Sequence, residues 1–582
     1  MRKQRLKSRT SLNRGLCFLV FGLIVVQLFR LQVLNHKIYA TKANQQQIMK
    51  STIFAKRGEI YFLDGDTPVP IVMNKKTYTI SIDPSLVVKK REEITKKIDE
   101  IVGAYRVKTG WDEVFADPER KYFVVAKNVP YRETNNLKNA DLTGVYEQET
   151  TTRVYPEGEM AAQVLGFVNQ DGEGQYGVEG SLNKELTGEN GLLKTVKDSN
   201  NVPLTIGNEN VKIPAKDGKN LVLTIDRNIQ KKAEESVDEV TKKFNITYGS
   251  AIVMNPATGQ ILAMAGKPGY NPAEYAKVTD AKVFQTDATM NAFDSASVCK
   301  TFAIAAAIDS GVMTPETTYY NTDRLVIDGW PIENAIKGHT GEISMQTVLT
   351  YSLNTGSIQA LKLLGGSASE ITYQGKEKLY DYYHNRFNLG KYTGIELPET
   401  KGSIVPPNDI DATDARYANM TFGQSLDLSI IQVASAFSAV VNGGEYYRPT
   451  LIAGEMKDGK FVRTELAKAD HDALNKNDTS RTMRQMLHTG RLVFPNVKGY
   501  DEDYYVGGKT GTAQTVKNGK YSFDETIGTY VGFGAKSLEE TPDYVIMTKV
   551  WSDNRKLDGG MNAKPIFDEI SKYMINYNKV RR

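Results

Sequence analysis

Residues 297–308 read SVCKTFAIAAAI: Ser297, Val298, Cys299 and Lys300, followed by eight residues of which only Thr301 is polar. So apolar a run predicts a helix buried in a core. A helix starting there places Ser297 near its N-terminus and Lys300 one turn on, on the same face. A serine hydroxyl is a poor nucleophile until a neighbouring base takes its proton. Lysine serves as that base only when neutral, so burial or a nearby cation must lower its ordinary pKa of ~10.4. Alone, Ser-x-x-Lys is a weak signal. Ser181-Leu182-Asn183-Lys184 matches it too, in the polar context NKELTGENG with no apolar helix behind it.

Further along, Ser352-Leu353-Asn354 follows the apolar-rich MQTVLTY. It supplies a hydroxyl to relay protons and an amide to hold a carbonyl or the lysine. Lys509-Thr510-Gly511-Thr512 lies in a strand-like run. It offers a cation and hydroxyls to a carboxylate, and its glycine lets a peptide lie close to the strand. Each motif has chance copies: Ser11-Leu12-Asn13, Ser181-Leu182-Asn183 and Ser552-Asp553-Asn554 for the second, Lys108-Thr109-Gly110 for the third. Only one set occurs in the order nucleophile, relay and carboxylate binder, with its members at a helix start, between helices and in a strand.

Other chemistries find less support. The five histidines (His36, His339, His384, His471 and His488) are scattered, with no His-Glu-x-x-His or Cys/His cluster, so no zinc site is expected. Two cysteines, Cys17 and Cys299, make no disulfide framework. No Gly-x-Ser-x-Gly elbow occurs. Gly172-Glu173-Gly174-Gln175-Tyr176-Gly177 matches the dinucleotide fingerprint, but Glu173 would face the phosphates and no second βαβ half follows. A tight glycine turn is the better reading. Gly508-Lys509-Thr510 ends like a P-loop, yet the first glycine position is Asp503.

The surroundings of the motifs set the fold class. GSAIVMN, PATG and QILAMAG (249–266) predict an antiparallel hairpin before the helical middle. After the middle come three strand-like runs, YYVGGKTGTAQTV, ETIGTYVGFGA and DYVIMTKVW. One sheet therefore draws strands from both ends of residues 216–582, with helices inserted between them. That is α+β, or mixed α/β, rather than a regular βαβ array. Ile229, Ala233, Val237, Val240 and Phe244 mark an amphipathic helix just before the hairpin, and a boundary is expected near IPAKDGKN, 213–220. Residues 35–215 alternate short strands (YTISID, KYFVVAK) with polar turns. One helix is expected at Arg91–Tyr105, its Ile94, Ile98 and Ile101 stripe packed into a core.

The N-terminus decides topology. The formal charge is +4, from 73 basic and 69 acidic residues. Six basic residues and no acid fall in residues 1–15, leaving 67 bases against 69 acids, so no domain is basic enough to suggest a nucleic-acid partner. Gly15–Phe29 carries no charge, and residues 16–34 are just long enough for a membrane-spanning helix if Arg30 reaches the interface. A buried core helix and a cleavable signal peptide are the rivals. No small-x-small cleavage site follows in NHKIYATKANQQQ. Six basic residues before the span against Lys37, Lys42 and Lys50 after it put the N-terminus in the cytoplasm and the bulk outside.

The ordered triple is the signature of the penicillin-recognising serine acyltransferases, and the chain resembles their class B penicillin-binding proteins over nearly its whole length. Arg57-Gly58-Glu59-Ile60, Arg153-Val154-Tyr155-Pro156 and VLGFVNQDGEGQYGVEGSLNKELTG resemble the pedestal segments of that family. MNPATGQILAMA, FGQSLDLSIIQVASAFSAVVNGG and VGGKTGTAQ resemble its transpeptidase domain, in the same order. The resemblance implies a cytoplasmic tail (1–15), an anchor (16–34), an elongated α+β pedestal or dimerisation-type domain (35–215) and a transpeptidase domain (216–582) with a central antiparallel sheet between helical regions. It implies a peptidoglycan D,D-transpeptidase that cross-links stem peptides and is acylated by β-lactams. Ser297 would be the nucleophile, Lys300 its base and Ser352 the proton relay. Asn354 would position Lys300 and the substrate amide. Lys509, Thr510, Gly511 and Thr512 would receive the carboxylate, and the N–H groups of Ser297 and Thr512 would form the oxyanion hole. No metal or cofactor is implied. Between anchor and transpeptidase no Glu-Asp-x-x-Phe-x-x-His pattern occurs, which implies that a SEDS-family glycosyltransferase in the membrane, among other cell-wall synthesis partners, polymerises the glycan. A D,D-carboxypeptidase, a β-lactamase, a penicillin sensor and a non-catalytic scaffold are the alternatives; no Glu-x-x-Leu-Asn lies between Asn354 and Lys509 to serve a class A β-lactamase. Ser295-Ala296 stands where the family usually has Pro-Gly, so a different loop shape is expected there, and Cys299 is an unusual filler.

Overall fold

The computed structural model describes residues 2–37, 48–117, 120–196, 211–475, 477–494, 504–517 and 520–580. The chain forms two units by contact: Met1–Arg57 with Thr187–Gly218, and Gly58–Leu186 with Lys219–Arg582.

In the first unit, helix Arg2–Phe29 continues through a wider turn, Arg30–Leu34. Asn13–Leu34 is long and apolar enough to cross a membrane, and none of it is buried, so it is not a core helix. Leu16, Phe18, Phe21 and Leu23 stand exposed. Residues 38–47, which include most of the stretch searched for a cleavage site and also Lys42, lie outside the described residues. The unit also holds an antiparallel sheet of Ile48–Ile53, Gly191–Val196 and Val211–Ile213.

The second unit contains two large sheets. The first runs, in spatial order, Lys460–Arg463, Ile452–Lys457, Asn220–Asp226, Ile60–Asp64, Thr67–Ile82 and Phe123–Val129, with Val145–Val154 also paired to Thr67–Ile82. Ile60–Asp64 lies parallel to Asn220–Asp226, so strands from distant parts of the chain share one core. Beside this sheet, helix Arg91–Val102 buries Ile94, Ile98 and Val102 against Ile80, Ile82 and Val125. The isoleucine stripe is core packing. The glycine-rich stretch at 172–177 is a turn: Phe167–Val168 pairs with Gly174–Gln175, and Asn169 Oδ1 accepts from the N–H groups of Asp171 and Glu173. Among the described residues, no βαβ unit surrounds it.

The second sheet is antiparallel throughout. Its order is Ile261–Lys267, Tyr248–Met254, Tyr544–Trp551, Lys520–Ala535 and Tyr505–Lys517, which joins the expected hairpin to the three late strands. Tyr544–Trp551 is buried at seven of its eight positions because helices cover both faces. On one side pack Arg227–Phe244 and Lys564–Val580, through Ile229, Val237, Ile566, Phe567 and Ile570. Asp226 caps the first of these, its carboxylate accepting from the N–H groups of Asn228 and Ile229. The other side meets a helical core that includes Ile430–Val441 and Lys300–Asp309. Tyr505–Lys517 is the sheet edge, which leaves its outer hydrogen-bonding row open at the site.

Candidate active site

The nucleophile turn precedes the buried helix. Ala296 adopts a left-handed backbone, φ 57°, and its N–H donates to the Gly423 carbonyl at 3.0 Å. Gly423 must be glycine: its φ is 82°, and a Cβ would collide with the Ala296 backbone. Glycine adopts the Ala296 conformation freely, whereas a residue with a Cβ pays about 1–2 kcal/mol. The turn therefore keeps a glycine-like path although Ser295-Ala296 occupies it. Residues 296–299 form one tight 3₁₀ turn carrying Ser297, and helix Lys300–Asp309 follows.

Three elements converge on two lysines. Lys300 is fully buried; its Nζ lies 2.8 Å from Ser297 Oγ, 2.7 Å from the Ser352 carbonyl and 3.1 Å from Ser352 Oγ. Ser352 caps helix Met345–Tyr351 in a left-handed conformation, φ 59°, which turns its hydroxyl and carbonyl toward Lys300. Lys509, also buried, donates from Nζ to Ser352 Oγ at 2.8 Å and to the Thr510 carbonyl at 3.1 Å. Burial, and then the Lys509 charge, holds the Lys300 amine well below the ordinary lysine range. Burial brings Lys509 down to about 7. Burial and the neighbouring Lys509 charge both favour a neutral Lys300 amine beside Ser297.

The edge strand is brought against the nucleophile turn by Gly511. A Cβ there would strike Thr529 Oγ1 and come within 3.2 Å of the Ala296 Cβ and the Ser295 carbonyl. Thr510 and Thr512 line a hollow of about 450 Å³ together with Ser352 and Lys509. Asn354 opens the next helix, Asn354–Leu364, and its Nδ2 donates to the Glu333 carbonyl at 2.7 Å; the hydrogen bonds of Lys300 go to Ser297 and Ser352. Asn354 faces a second hollow of about 1,020 Å³, shared with Gln514, Phe422 and Tyr521.

The chance copies within the second unit sit on other elements. Ser181 ends a short helix in the other sheet region, and Lys108 precedes helix Trp111–Val114. Ser552 Oγ accepts from the Thr247 N–H. Some supporting residues left no motif. Asn334 Oδ1 accepts from the Thr355 N–H at 3.0 Å, Asn334 Nδ2 donates to Asp323 Oδ1 at 2.8 Å, and Thr355 Oγ1 lies 2.8 Å from Asn321 Oδ1. Asn321, Asp323 and Asn334 thus clamp the loop carrying Ser352. Side-chain hydrogen bonds from Asn334 and Asn321 hold Asp323 at about 2 despite its burial. Their only sequence signal is a density of Asn and Asp between the first two motifs. Cys299 is buried beside Ser295 Oγ, 3.0 Å from its sulfur, in the core that also holds Tyr383, whose hydroxyl donates to the Cys299 carbonyl. Among the described residues, no group of three His, Cys, Asp or Glu side chains is placed to hold a metal.

Comparison with known proteins bears on this geometry. Residues 249–572 match the penicillin binding protein transpeptidase domain, and residues 52–223 match the penicillin-binding protein dimerisation domain. The chain belongs to the penicillin-binding protein transpeptidase family. With both domains it is a class B penicillin-binding protein and an enzyme of the D,D-transpeptidase type. Stage V sporulation protein D of Bacillus subtilis is 28% identical, over 97% of this penicillin-binding protein and 86% of that relative. Peptidoglycan D,D-transpeptidase FtsI of Buchnera aphidicola is 26% identical, over 97% and 95%. Among solved structures, a peptidoglycan synthetase from Bifidobacterium adolescentis superposes with a TM-score of 0.70 at 20% identity, covering 92% of this chain and 97% of that one. Penicillin-binding protein 3 from Mycobacterium tuberculosis, in complex with aztreonam, gives 0.66 at 22% identity, covering 91% and 98%. The fold of this penicillin-binding protein is theirs.

Proposed function

We propose that this penicillin-binding protein cross-links peptidoglycan through an acyl-enzyme on Ser297. The observation that carries the reading is the buried Lys300 amine 2.8 Å from Ser297 Oγ, next to a second lysine that shares Ser352 Oγ. Neutral Lys300 takes the Ser297 proton as Oγ attacks the carbonyl of the penultimate D-Ala in a stem pentapeptide. Lys509, Thr510 and Thr512 hold the terminal carboxylate, and Gly511 allows the peptide to lie along the open strand edge. Backbone N–H groups of Ser297 and Thr512 receive the oxyanion. Ser352, within reach of both lysines, passes the proton to the departing D-Ala amine. Asn354, anchored on the Glu333 carbonyl, presents its side-chain oxygen to the donor amide. An amine of a second stem then takes the acyl group.

β-Lactams mimic the donor and acylate the same serine. The basic N-terminus stays in the cytoplasm, Asn13–Leu34 crosses the membrane, and residues 35–215 and 216–582 act outside it as pedestal and catalytic domain. A SEDS-family glycosyltransferase in the membrane supplies the glycan strands. Fluorescent penicillin tests the core of this reading: the wild type becomes labelled and Ser297→Ala does not, with D-Ala release from a pentapeptide lost in parallel. Labelling of Ser297→Ala at the wild-type level overturns it.

A further inference from the structure

Acyl transfer to an amine is the reverse of acylation by an amide. The incoming nitrogen must therefore retrace the path by which the D-Ala nitrogen left. That path is defined by Thr510 and Thr512, which hold the carboxylate of the departing residue in the reading above, and both line the 450 Å³ hollow. Ser352, which hands over the proton, and Lys509, which shares the carboxylate with the two threonines, line it as well. The hollow is far larger than a terminal alanine needs, and pockets of about 300–1,000 Å³ hold ligands of drug size. Beyond the polar group at its head, its walls are mostly apolar (Ile336, Met486, Leu487, Phe494 and Met561), with Arg491, Asp558 and Lys564 also on the lining. The second hollow shares none of these lining residues and is lined by Asn354 and Gln514, leaving room for the donor chain that remains attached to Ser297.

We infer that the hollow beside Thr510 and Thr512 is the acceptor site, which takes the amine-bearing side chain of the second stem peptide along its apolar walls and delivers the nitrogen to the acyl-Ser297 carbonyl. The inference rests on the transpeptidase reading and adds where the second substrate lies. An alkyl-amine side chain fits such walls: its methylenes bury against Met486, Leu487 and Phe494, and an apolar surround favours the uncharged amine, the only nucleophilic form. In the transfer step the nitrogen forms a bond to the acyl carbon and the carbon–Oγ ester bond breaks. The amine proton passes through Ser352 and Lys300 to Ser297 Oγ, restoring the free enzyme and an amide cross-link.

Two positions at the rim allow a test without disturbing the core: Met561 is 68% exposed and Ile336 43%. The full-length protein in detergent is given an N-acyl-D-alanyl thioester as donor and Nα-acetyl-lysine amide as acceptor, and amide product is measured against hydrolysis product. Met561→Trp and Ile336→Trp narrow the hollow. Each is expected to lower the amide-to-hydrolysis ratio about tenfold, through a raised acceptor KM, while fluorescent penicillin still acylates Ser297. A ratio and acceptor KM equal to the wild type in both variants overturn the acceptor site and leave the transpeptidase reading standing. Failure of penicillin to label the wild type removes that reading and the acceptor site with it.

Discussion

Replacing Lys509 by methionine tests the electrostatic core of the mechanism. The two Nζ atoms lie 3.1 Å and 2.8 Å from one oxygen, Ser352 Oγ, so they can be at most about 6 Å apart. Two unit charges at ~6 Å repel by about 3 kcal/mol at an effective dielectric constant of ~20. That is roughly a hundredfold in the protonation equilibrium of Lys300. Because the sites are coupled, the protonation steps belong to the pair: Lys300 is held well below the ordinary lysine range, and Lys509 is brought down to about 7. Lys509→Met removes the repulsion, so Lys300 gains its proton at a higher pH and is less available as base. The assay is the second-order rate of Ser297 acylation by penicillin across pH 5 to 10, normalised to the plateau of each variant so that lost carboxylate affinity cancels. The acid limb should move to higher pH in Lys509→Met. Since Lys509 discharges near 7 in the wild type, the basic limb that reports its loss of charge should vanish as well. An acid limb that stays in place, or moves down, refutes Lys300 as a base tuned by Lys509.

Other perturbations probe the frame around the site. Burial raises the Asp294 carboxyl to about 6, with Asp427 adding to the effect, above the ~3.9 expected when unfolded. The folded state then binds more protons between pH 4 and 6, so this group stabilises the fold as pH falls through that window and costs stability at pH 7. Asp294→Asn should raise the melting temperature at pH 7, by about 1–2 kcal/mol of stability, and give no gain at pH 4. Burial pushes the Cys299 thiol up to about 12, so iodoacetamide should modify the peptide containing Cys299 only after denaturation, as peptide mass mapping would show. Arg153 Nε and Glu179 Oε1 form a buried pair at 2.7 Å, and Arg153 also donates to Asn74. Arg153→Ala removes the guanidinium from beside the buried Glu179 carboxylate and should cost about 3–5 kcal/mol in calorimetric unfolding, while Arg153→Met with Glu179→Leu should cost less.

What the sequence by itself determined about this protein is what one element can encode. The apolar run after Ser297 specified a helix buried on all sides, and the order of the three motifs named the residues that the fold gathers. Hydropathy alone identified residues 16–34 as a span, and periodicity placed Ile94 and Ile98 in a core. Each of these rests on patterns within about twenty residues, where burial and backbone geometry repeat with a fixed period. Contacts between elements follow no such period. Only packing brings Ser352 and Lys509, 52 and 157 residues from their partners across the site, onto the same hydroxyl. Packing against Gly423 also holds Ala296 in a left-handed turn, which no local pattern announces. Asn354 finds the Glu333 carbonyl, and Asn321, Asp323 and Asn334 become the clamp on its loop, because the hairpin of Arg324–Ile327 and Trp330–Glu333 packs beside helix Asn354–Leu364. The pKa of Lys300 was likewise beyond any motif. It depends on the water excluded and the charge placed beside it, and both are set by the tertiary structure.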